Sequence, residues 1–215
     1  MSLKVNEIFF SIQGESSHAG RPCAFIRLTG CNLRCSYCDT GYAYDEGSWQ
    51  EIADIEREIR PFRCRLVEVT GGEPLLQAET PELVRRLLDN GHTVLLETNG
   101  SLDIGAVDER CARIVDVKCP SSGEAEKNRL ENLAILTPND EVKFVIGDRG
   151  DFDYARTIIA ERLPGRRDLK PPMFSTVFDR LNPERLARWI LEEHLDVRLQ
   201  IQLHKVIWGA EKRGV

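Results

Sequence analysis

Short apolar segments alternate with amphipathic segments along the chain, and this alternation predicts parallel βα units. The apolar segments are rich in Val, Ile, Leu and Phe, and they are bounded by Gly, Pro or Asn, as buried strands are. We predict strands at residues 5–10, 23–28, 65–70, 93–97, 113–117, 141–146, 173–177 and 197–203.

The amphipathic segments carry start and stop signals for helices. Ser48 and Glu51 have the spacing of a capping box, which predicts a helix that begins at Ser48 and ends at Pro61. Asn182 before Pro183 predicts the start of another helix. Further helices are predicted at residues 80–90, 128–136 and 151–162.

Polar residues gather where the predicted strands end, as Thr70 and Glu97 do. In a βα barrel these carboxyl ends form one face, which holds the functional site. The chain has 215 residues, fewer than the roughly 250 of a full eight-unit barrel. We therefore predict a single α/β domain over residues 1–215, a partial, shortened βα barrel of about six parallel strands. A doubly wound open sheet is the alternative.

Charge and composition exclude several classes of function. The 29 Lys and Arg residues against 35 Asp and Glu residues give a net charge of -6, which offers no basic surface for nucleic acid. No apolar run approaches the length of a membrane span, and the N-terminus lacks the pattern of a secretion signal. We therefore expect a cytoplasmic protein that binds neither nucleic acid nor membrane. Its seven cysteines then suggest metal or redox chemistry before disulfides.

Three of the cysteines, Cys31, Cys35 and Cys38, lie within a single short loop. Such a loop can wrap one metal centre, and thiolates are the ligands of iron–sulfur clusters. Three thiolates, unlike four, leave one iron of a cubane open to a small molecule. A structural zinc site, which needs a fourth ligand, is the alternative. That ligand would come from one of the remaining cysteines, Cys23, Cys64, Cys111 or Cys119.

The cysteine spacing, with Tyr37 directly before the third cysteine, resembles the signature of the radical S-adenosylmethionine (SAM) superfamily. The sequence Gly71-Gly72-Glu73-Pro74 resembles that superfamily's second motif, and it follows the next predicted strand, as the superfamily order requires. Backbone carbonyls and a carboxylate at a strand end can accept hydrogen bonds from the ammonium group of SAM. The resemblance implies a [4Fe–4S] cluster on the three cysteines, with SAM bound at the open iron.

Within the superfamily, the chain resembles the 7-carboxy-7-deazaguanine synthase family. The resemblance runs from Val5 to His204, and it is densest at residues 7–40. It implies that a 5′-deoxyadenosyl radical takes a hydrogen from 6-carboxy-5,6,7,8-tetrahydropterin. The ring then contracts to 7-carboxy-7-deazaguanine with loss of ammonia, in the synthesis of queuosine and related 7-deazapurines. The resemblance also implies a shortened βα barrel, a homodimer and a reducing protein partner such as flavodoxin.

The resemblance assigns residues to three kinds of contact. The radical is generated by SAM and the cluster, so no catalytic side chain is assigned. Thr40 resembles the family's Mg²⁺ ligand. Substrate contacts are expected at Ile12, Gln13, Gly14, Glu15, Arg27, Thr70 and His204. SAM contacts are expected at Tyr37, Cys38, Asp39, Gly72, Glu73, Cys119, Pro120, Ser121, Phe174, Ser175, Thr176 and Val177.

Several of these residue types suit a carboxypterin. Its amide–amidine edge could donate two N–H groups to Glu15, and Arg27 could bind its carboxylate with two hydrogen bonds. Arg27 lies in an apolar segment, where an inward arginine is costly unless paired. The alternatives are a solvent-facing Arg27, a capping role for Asp39 and Thr40, and an ordinary buried strand at residues 174–177.

Two other functions remain open at this point. An enzyme that makes a glycyl radical on a partner protein would share the cysteine motif, but it would not need the Gln13, Glu15 and Arg27 pocket. A zinc-stabilised binding module with no turnover would share only the cysteines. Iron and inorganic sulfide in the purified protein would favour the enzymes over the module.

Overall fold

A nine-stranded sheet organises the protein in the computed structural model, which describes residues 1–215. The strands are β1 Ser2–Ile12, β2 Pro22–Leu28, β3 Ser48–Glu51, β4 Leu66–Gly71, β5 Thr93–Thr98, β6 Ala112–Asp116, β7 Glu141–Ile146, β8 Met173–Thr176 and β9 Arg198–Gln200. The helices are α1 Ile52–Ile59, α2 Thr80–Asp89, α3 Arg149–Arg162, α4 Pro183–Glu192 and α5 Leu203–Trp208. No helix combines the length and apolar character that crossing a membrane requires.

The strand order is that of a barrel that does not close. From β2 through β4 to β9, seven strands lie parallel and side by side in chain order. A doubly wound sheet would reverse its order at a switch point, and this sheet does not. The antiparallel strands β1 and β3 extend the β2 edge, and β9 is the other edge. The predicted partial βα barrel is confirmed, with seven parallel strands rather than about six.

Alternate residues of each strand point to opposite faces of the sheet, and the two faces differ in character. The outer face packs against helices: Val67 and Val69 lie in one apolar core with residues of α1 and α2, and Phe144 lies in a second core with residues of α3 and α4. A third, smaller cluster contains no helix residue and forms an apolar floor inside the barrel: Cys23, Phe25, Leu66, Leu95, Ile114 and Met173.

Three local predictions were wrong, and long-range contacts explain two of them. Residues 48–51 form β3, paired with Ser2–Val5 of β1, so the helix begins at Ile52 without a side-chain cap. The last strand, predicted at residues 197–203, ends at Gln200, and Leu203 begins α5. Residues 128–136 contain a 3₁₀ helix at Leu130–Ile135 rather than an α-helix. Pairing of residues 48–51 with β1 therefore overrides the local helix signal there.

Candidate active site

A cavity of about 460 Å³ opens at the carboxyl ends of the parallel strands. This volume lies in the range of small-molecule sites. Its wall contains the three clustered cysteines and every residue expected to contact the substrate. The predicted residues in the wall are Ile12, Gln13, Gly14, Glu15, Arg27, Cys31, Cys35, Tyr37, Cys38, Asp39, Thr40, Thr70, Gly72, Thr176, Val177 and His204.

Some expected SAM contacts do not line this cavity. These are Glu73, Cys119, Pro120, Ser121, Phe174 and Ser175. The Glu73 carboxylate is fully buried and already accepts hydrogen bonds from Thr98 Oγ1 at 2.9 Å, from Asn99 N at 2.7 Å and from Leu75 N at 2.9 Å. It therefore stabilises the loop internally in this structure. The contact roles of all six residues stay predictions.

The glycines of the second motif bring it against the cysteine loop. A Cβ atom on Gly72 would overlap Gly30 and Cys31, and one on Gly71 would overlap the backbone of Leu28. Gly71 also has φ +156, in the region that favours glycine. The two motifs therefore meet through backbone alone, which leaves peptide groups exposed to the cavity beside the thiols.

The three cysteines fit the ligand set of a [4Fe–4S] cluster. Cys31 Sγ accepts from Leu33 N at 3.4 Å and lies 3.8 Å from Asn99 Nδ2, and N–H groups of this kind stabilise cluster-bound sulfur. Burial raises the pKa of the Cys31 thiol, and it raises that of Cys35 to about 11. Bound iron would supply the positive charge that keeps both as thiolates.

Two further observations bear on this ligand set. No three His, Cys, Asp or Glu side chains converge closely enough to hold a single metal ion, whereas each thiolate of a cubane binds a different iron atom. Cys23, Cys111 and Cys119 are buried and do not reach the cavity, and neither does Cys64. Three thiols therefore face the cavity without a fourth.

Opposite the cysteines, a buried lysine that sequence reasoning missed joins two acidic side chains. Lys143 Nζ lies 2.7 Å from Glu15 Oε2 and 2.5 Å from Glu97 Oε1. Burial alone would raise the pKa of Glu15, but Lys143 lowers it to about 2. Gln202 Nε2 donates to Glu15 Oε1 at 2.7 Å. Glu15 is therefore an ionised acceptor in the cavity wall.

A second missed carboxyl, Glu68, has the opposite character. It is buried, lines the cavity and accepts a short hydrogen bond from the Gln13 side chain. Burial, together with the nearby charges of Glu97 and Glu15, raises the pKa of Glu68 to about 8. The cavity therefore holds an ionised carboxylate at Glu15 and a carboxyl at Glu68 that keeps its proton near neutral pH.

Arg27 points into the cavity rather than to solvent, since only 15% of its side chain is exposed. Its Nε donates to Glu7 Oε1 at 2.8 Å, and its guanidinium lies 5.7 Å from the Phe9 ring centre and 5.9 Å from that of Tyr42. The two terminal nitrogens make no hydrogen bond to the protein. They remain available for an anion.

The cavity rim brings together the remaining predicted residues. Asp39 pairs with Lys205 at 2.7 Å; burial would raise the pKa of Asp39, but Lys205 lowers it. Thr40 Oγ1 lies 3.7 Å from Cys38 Sγ. Tyr37 Oη donates to the Val145 carbonyl at 3.4 Å.

His204 reaches the cavity because α5 packs against the loop after β1. Leu203 N donates to the Gly14 carbonyl at 3.0 Å, and a Cβ atom on Gly14 would overlap the His204 ring. Burial lowers the pKa of His204, so its imidazole is neutral near neutral pH. Glycine at position 14 therefore makes room for the histidine.

Three cavity residues that were not predicted share one sequence signal. Glu68, Asp116 and Lys143 each stand at an inward position of a strand, between two apolar neighbours. Arg27 shows the same signal, and it was predicted on that basis. Applied to every predicted strand, the signal would have found all three.

The barrel and a three-thiol loop beside a glycine motif define a radical SAM protein, and comparison with known proteins agrees. The family model of the radical SAM superfamily matches residues 25–161. A 7-carboxy-7-deazaguanine synthase from Chlorobaculum tepidum is 46% identical over 99% of this chain and 97% of its own length. Another synthase of that name, from Koribacter versatilis, is 43% identical over 99% of this chain and 100% of its own.

Among solved structures, QueE from Escherichia coli matches with a TM-score of 0.78 and 22% identity, over 94% of each chain, which supports the fold. The chain belongs to the 7-carboxy-7-deazaguanine synthase family of radical SAM enzymes. Membership of the superfamily implies a [4Fe–4S] cluster and SAM. Membership of the synthase family, with full-length relatives of that name, means that the chain is an enzyme that acts on a small molecule.

Proposed function

We propose that this enzyme converts 6-carboxy-5,6,7,8-tetrahydropterin to 7-carboxy-7-deazaguanine with release of ammonia, in the synthesis of queuosine and related 7-deazapurines. One observation carries the proposal: the synthase from Chlorobaculum tepidum is 46% identical over almost the whole of both chains. The cavity supports it, because the Glu15 carboxylate, the free terminal nitrogens of Arg27 and the three thiols all line it.

Cys31, Cys35 and Cys38 would hold the cluster, with the backbone of the Gly71–Gly72 turn beside it. When bound, the cluster and SAM supply the carbon radical that starts the reaction on the substrate. Tyr37, Cys38, Asp39, Gly72, Thr176 and Val177 are the cavity-lining candidates for binding SAM. The apolar floor of the barrel excludes water from below, which protects a reactive radical.

The substrate side of the cavity would bind the carboxypterin by its two polar ends. Glu15 is ionised and already oriented by Gln202 and Lys143, so it can accept hydrogen bonds from the amidine edge. Arg27 has two free terminal nitrogens for the substrate carboxylate. The remaining contacts come from residues beside these two: Ile12, Gln13, Gly14, Thr70 and His204.

Mg²⁺ binding at Thr40 is part of the proposal. The Thr40 hydroxyl lines the cavity between the cysteine loop and Arg27, and Mg²⁺ prefers oxygen ligands and retains several waters. Substrate oxygens would complete the coordination. In this proposal the metal assists the later ring rearrangement and takes no part in electron transfer.

Three wider expectations also belong to the proposal. The electron comes from a small reducing protein such as flavodoxin, and the enzyme works as a homodimer. It works in the cytoplasm, where its seven cysteines, all free thiols in the structure, would stay reduced.

The test is an anaerobic assay of the reconstituted enzyme with SAM, a reductant and the carboxypterin. We expect 5′-deoxyadenosine and 7-carboxy-7-deazaguanine, with product formation dependent on the carboxypterin. Glycyl-radical formation on a partner protein without pterin turnover would instead support an activating enzyme. A purified protein that contains zinc and no iron or sulfide would contradict both.

A further inference from the structure

Lys143 is the most deeply buried of the cations that line the cavity, and the proposed function gives it no contact with the substrate. Only 6% of its side chain is exposed, and its Nζ lies 2.7 Å from Glu15, 2.5 Å from Glu97 and 3.7 Å from Asp116. A buried lysine is costly unless it is paired. Its three acidic partners all line the cavity.

The two closest carboxylates depend on Lys143 to different degrees. Glu15 also accepts from Gln202 Nε2 at 2.7 Å and from Gln200 Nε2 at 3.3 Å. Glu97 has one other partner, the Thr70 hydroxyl at 3.4 Å. Lys143 is thus the only cation that joins the loop after β1 to the end of β5. Without it, these two partly buried carboxylates would repel each other in the cavity wall.

We propose that Lys143 is a positioning residue for substrate recognition, which holds the side chains of Glu15 and Glu97 side by side and aimed at the N–H-rich edge of the substrate. This inference rests on the proposed function, because that edge is the amidine edge of the carboxypterin. A ligand that donates several N–H groups needs anionic acceptors side by side, and a cation behind them makes that arrangement stable.

The surroundings of Glu15 determine what the loss of Lys143 would do. Burial raises the pKa of Glu15, and Lys143 is the strongest of the influences that lower it, to about 2. His204 and Gln202 lower it less. The other charged or titratable groups on the strands and rim around the pair are the acidic Glu68, Glu97, Asp116 and Asp39 and the cationic Lys118 and Lys205, which pair with Asp116 and Asp39. Lys143→Met therefore moves the pKa of Glu15 upward, and a protonated Glu15 is a poorer acceptor.

The experiment measures the affinity of the reconstituted, SAM-bound enzyme for the carboxypterin by anaerobic titration, from about pH 6 to about pH 8. At each pH, the Kd of a variant is divided by the Kd of the wild type, and this Kd ratio is independent of the titration of the substrate itself. For Lys143→Met we expect a Kd ratio of about ten or more at pH 8. The ratio should grow as pH falls, by up to about tenfold per pH unit.

Two further variants separate positioning from general stability. Lys143→Arg keeps the positive charge, so it should restore part of the affinity and give a ratio that does not vary with pH. Lys170→Met is the matched control, because Lys170 pairs at 2.9 Å with the buried Glu141 outside the cavity. Its ratio should stay near one, within about twofold, at every pH. Iron content and SAM affinity should not change in any variant.

A Lys143→Met enzyme with wild-type affinity at every pH would overturn the inference. A lower affinity that does not vary with pH would also overturn it, because that result indicates packing alone. If Lys143→Met fails to fold, the double variant Lys143→Met, Glu97→Gln replaces it, and Glu15 should still show the pH dependence. A wild-type enzyme that does not bind the carboxypterin would instead refute the proposed function, so the two failures are distinguishable.

Discussion

The two faces of the parallel sheet use the same strands for different purposes. In β4, Val67 and Val69 are packed under α1 and α2, whereas Glu68 and Thr70 between and beside them line the cavity. In β7, Phe144 lies in the outer core while Lys143 pairs with Glu15 inside the barrel. A shift of one residue in register would exchange the two sets. The residues of the outer face therefore mainly stabilise the fold, whereas those of the inner face are placed to bind the substrate.

The inner face is itself divided along the strand direction. Its lower part is the apolar floor, and its upper part is the ring of charged residues at the cavity. The floor lowers the local dielectric, so each charge above it must be paired, as Arg27 is with Glu7 and Lys143 is with Glu15. Substitutions on the two faces should therefore change different measured quantities.

The largest effect is expected on the inner face at the cysteine loop. Cys35→Ala should abolish cluster binding and all turnover, because a cubane with two protein thiolates is poorly held. The protein should remain folded, since Cys35 lies in a half-exposed loop. Iron content and circular dichroism check this. Cys64→Ala, outside the cavity, should keep its iron, and a full cluster in Cys35→Ala would contradict the ligand assignment.

On the outer face, Phe144→Ala should lower the free energy of unfolding by about 3–5 kcal/mol. Phe144 is fully buried, and its ring centre lies 5.6 Å from that of Phe174. The folded fraction should bind the carboxypterin with wild-type affinity, because the side chain does not reach the cavity. Chemical denaturation and ligand titration, measured on the same sample, test this separation of the two faces.

Arg27, which pairs with Glu7, provides a second test of the charged residues on the inner face. Arg27→Ala should weaken carboxypterin binding by roughly thirty-fold or more, because removing one side of a buried charge pair costs about 2–5 kcal/mol. Arg27→Lys should recover part of this loss, since an ammonium cannot bind a carboxylate with two parallel hydrogen bonds. SAM and carboxypterin are titrated separately on variants with full iron content. Lower thermal stability with unchanged affinity would indicate a purely structural role.

Glu68 tests whether an inner-face carboxyl can stay neutral. Its pKa rises from 4.5 to about 8 on folding, so the folded state keeps a proton that the unfolded state loses. The contribution of Glu68 to stability is present at low pH and is lost as pH rises toward about 8. Between pH 4.5 and about 8, the free energy of unfolding of the wild type should fall, relative to that of Glu68→Gln, by up to about 1.4 kcal/mol per pH unit. If the unfolding free energies of the two proteins varied with pH in the same way, Glu68 would not have a raised pKa.

The smallest expected effect is on product formation when the proposed Mg²⁺ site at Thr40, on the cavity rim, is lost. Removing Mg²⁺ should slow product formation more than it slows uncoupled SAM cleavage, and Thr40→Val should reproduce this because it deletes the hydroxyl and keeps the shape. We expect a change of several-fold, since waters and substrate oxygens supply the other ligands. Equal product rates with and without Mg²⁺ would remove the metal from the proposed function.

Sequence reasoning reached the parts of the site that depend on short-range patterns. The cysteine spacing, the glycine motif and the strand at residues 141–146 were all predictable, and the structure confirms that strand. It missed the Lys143–Glu15 pair, whose members lie 128 positions apart in the chain. It also made the last strand too long, because the end of β9 is set by packing of α5 against Gly14.

The amino-acid sequence by itself determined the alternation of strands and helices, the three-thiol loop and the polar residues at strand ends. These depend on neighbouring residues, whose spacing a sequence displays directly. The meeting of Glu15, Glu97 and Lys143, the burial that raises the pKa of Glu68 and the position of Glu73 outside the cavity all follow from the tertiary fold. Such pairings depend on strand register and on burial, which distant segments impose together.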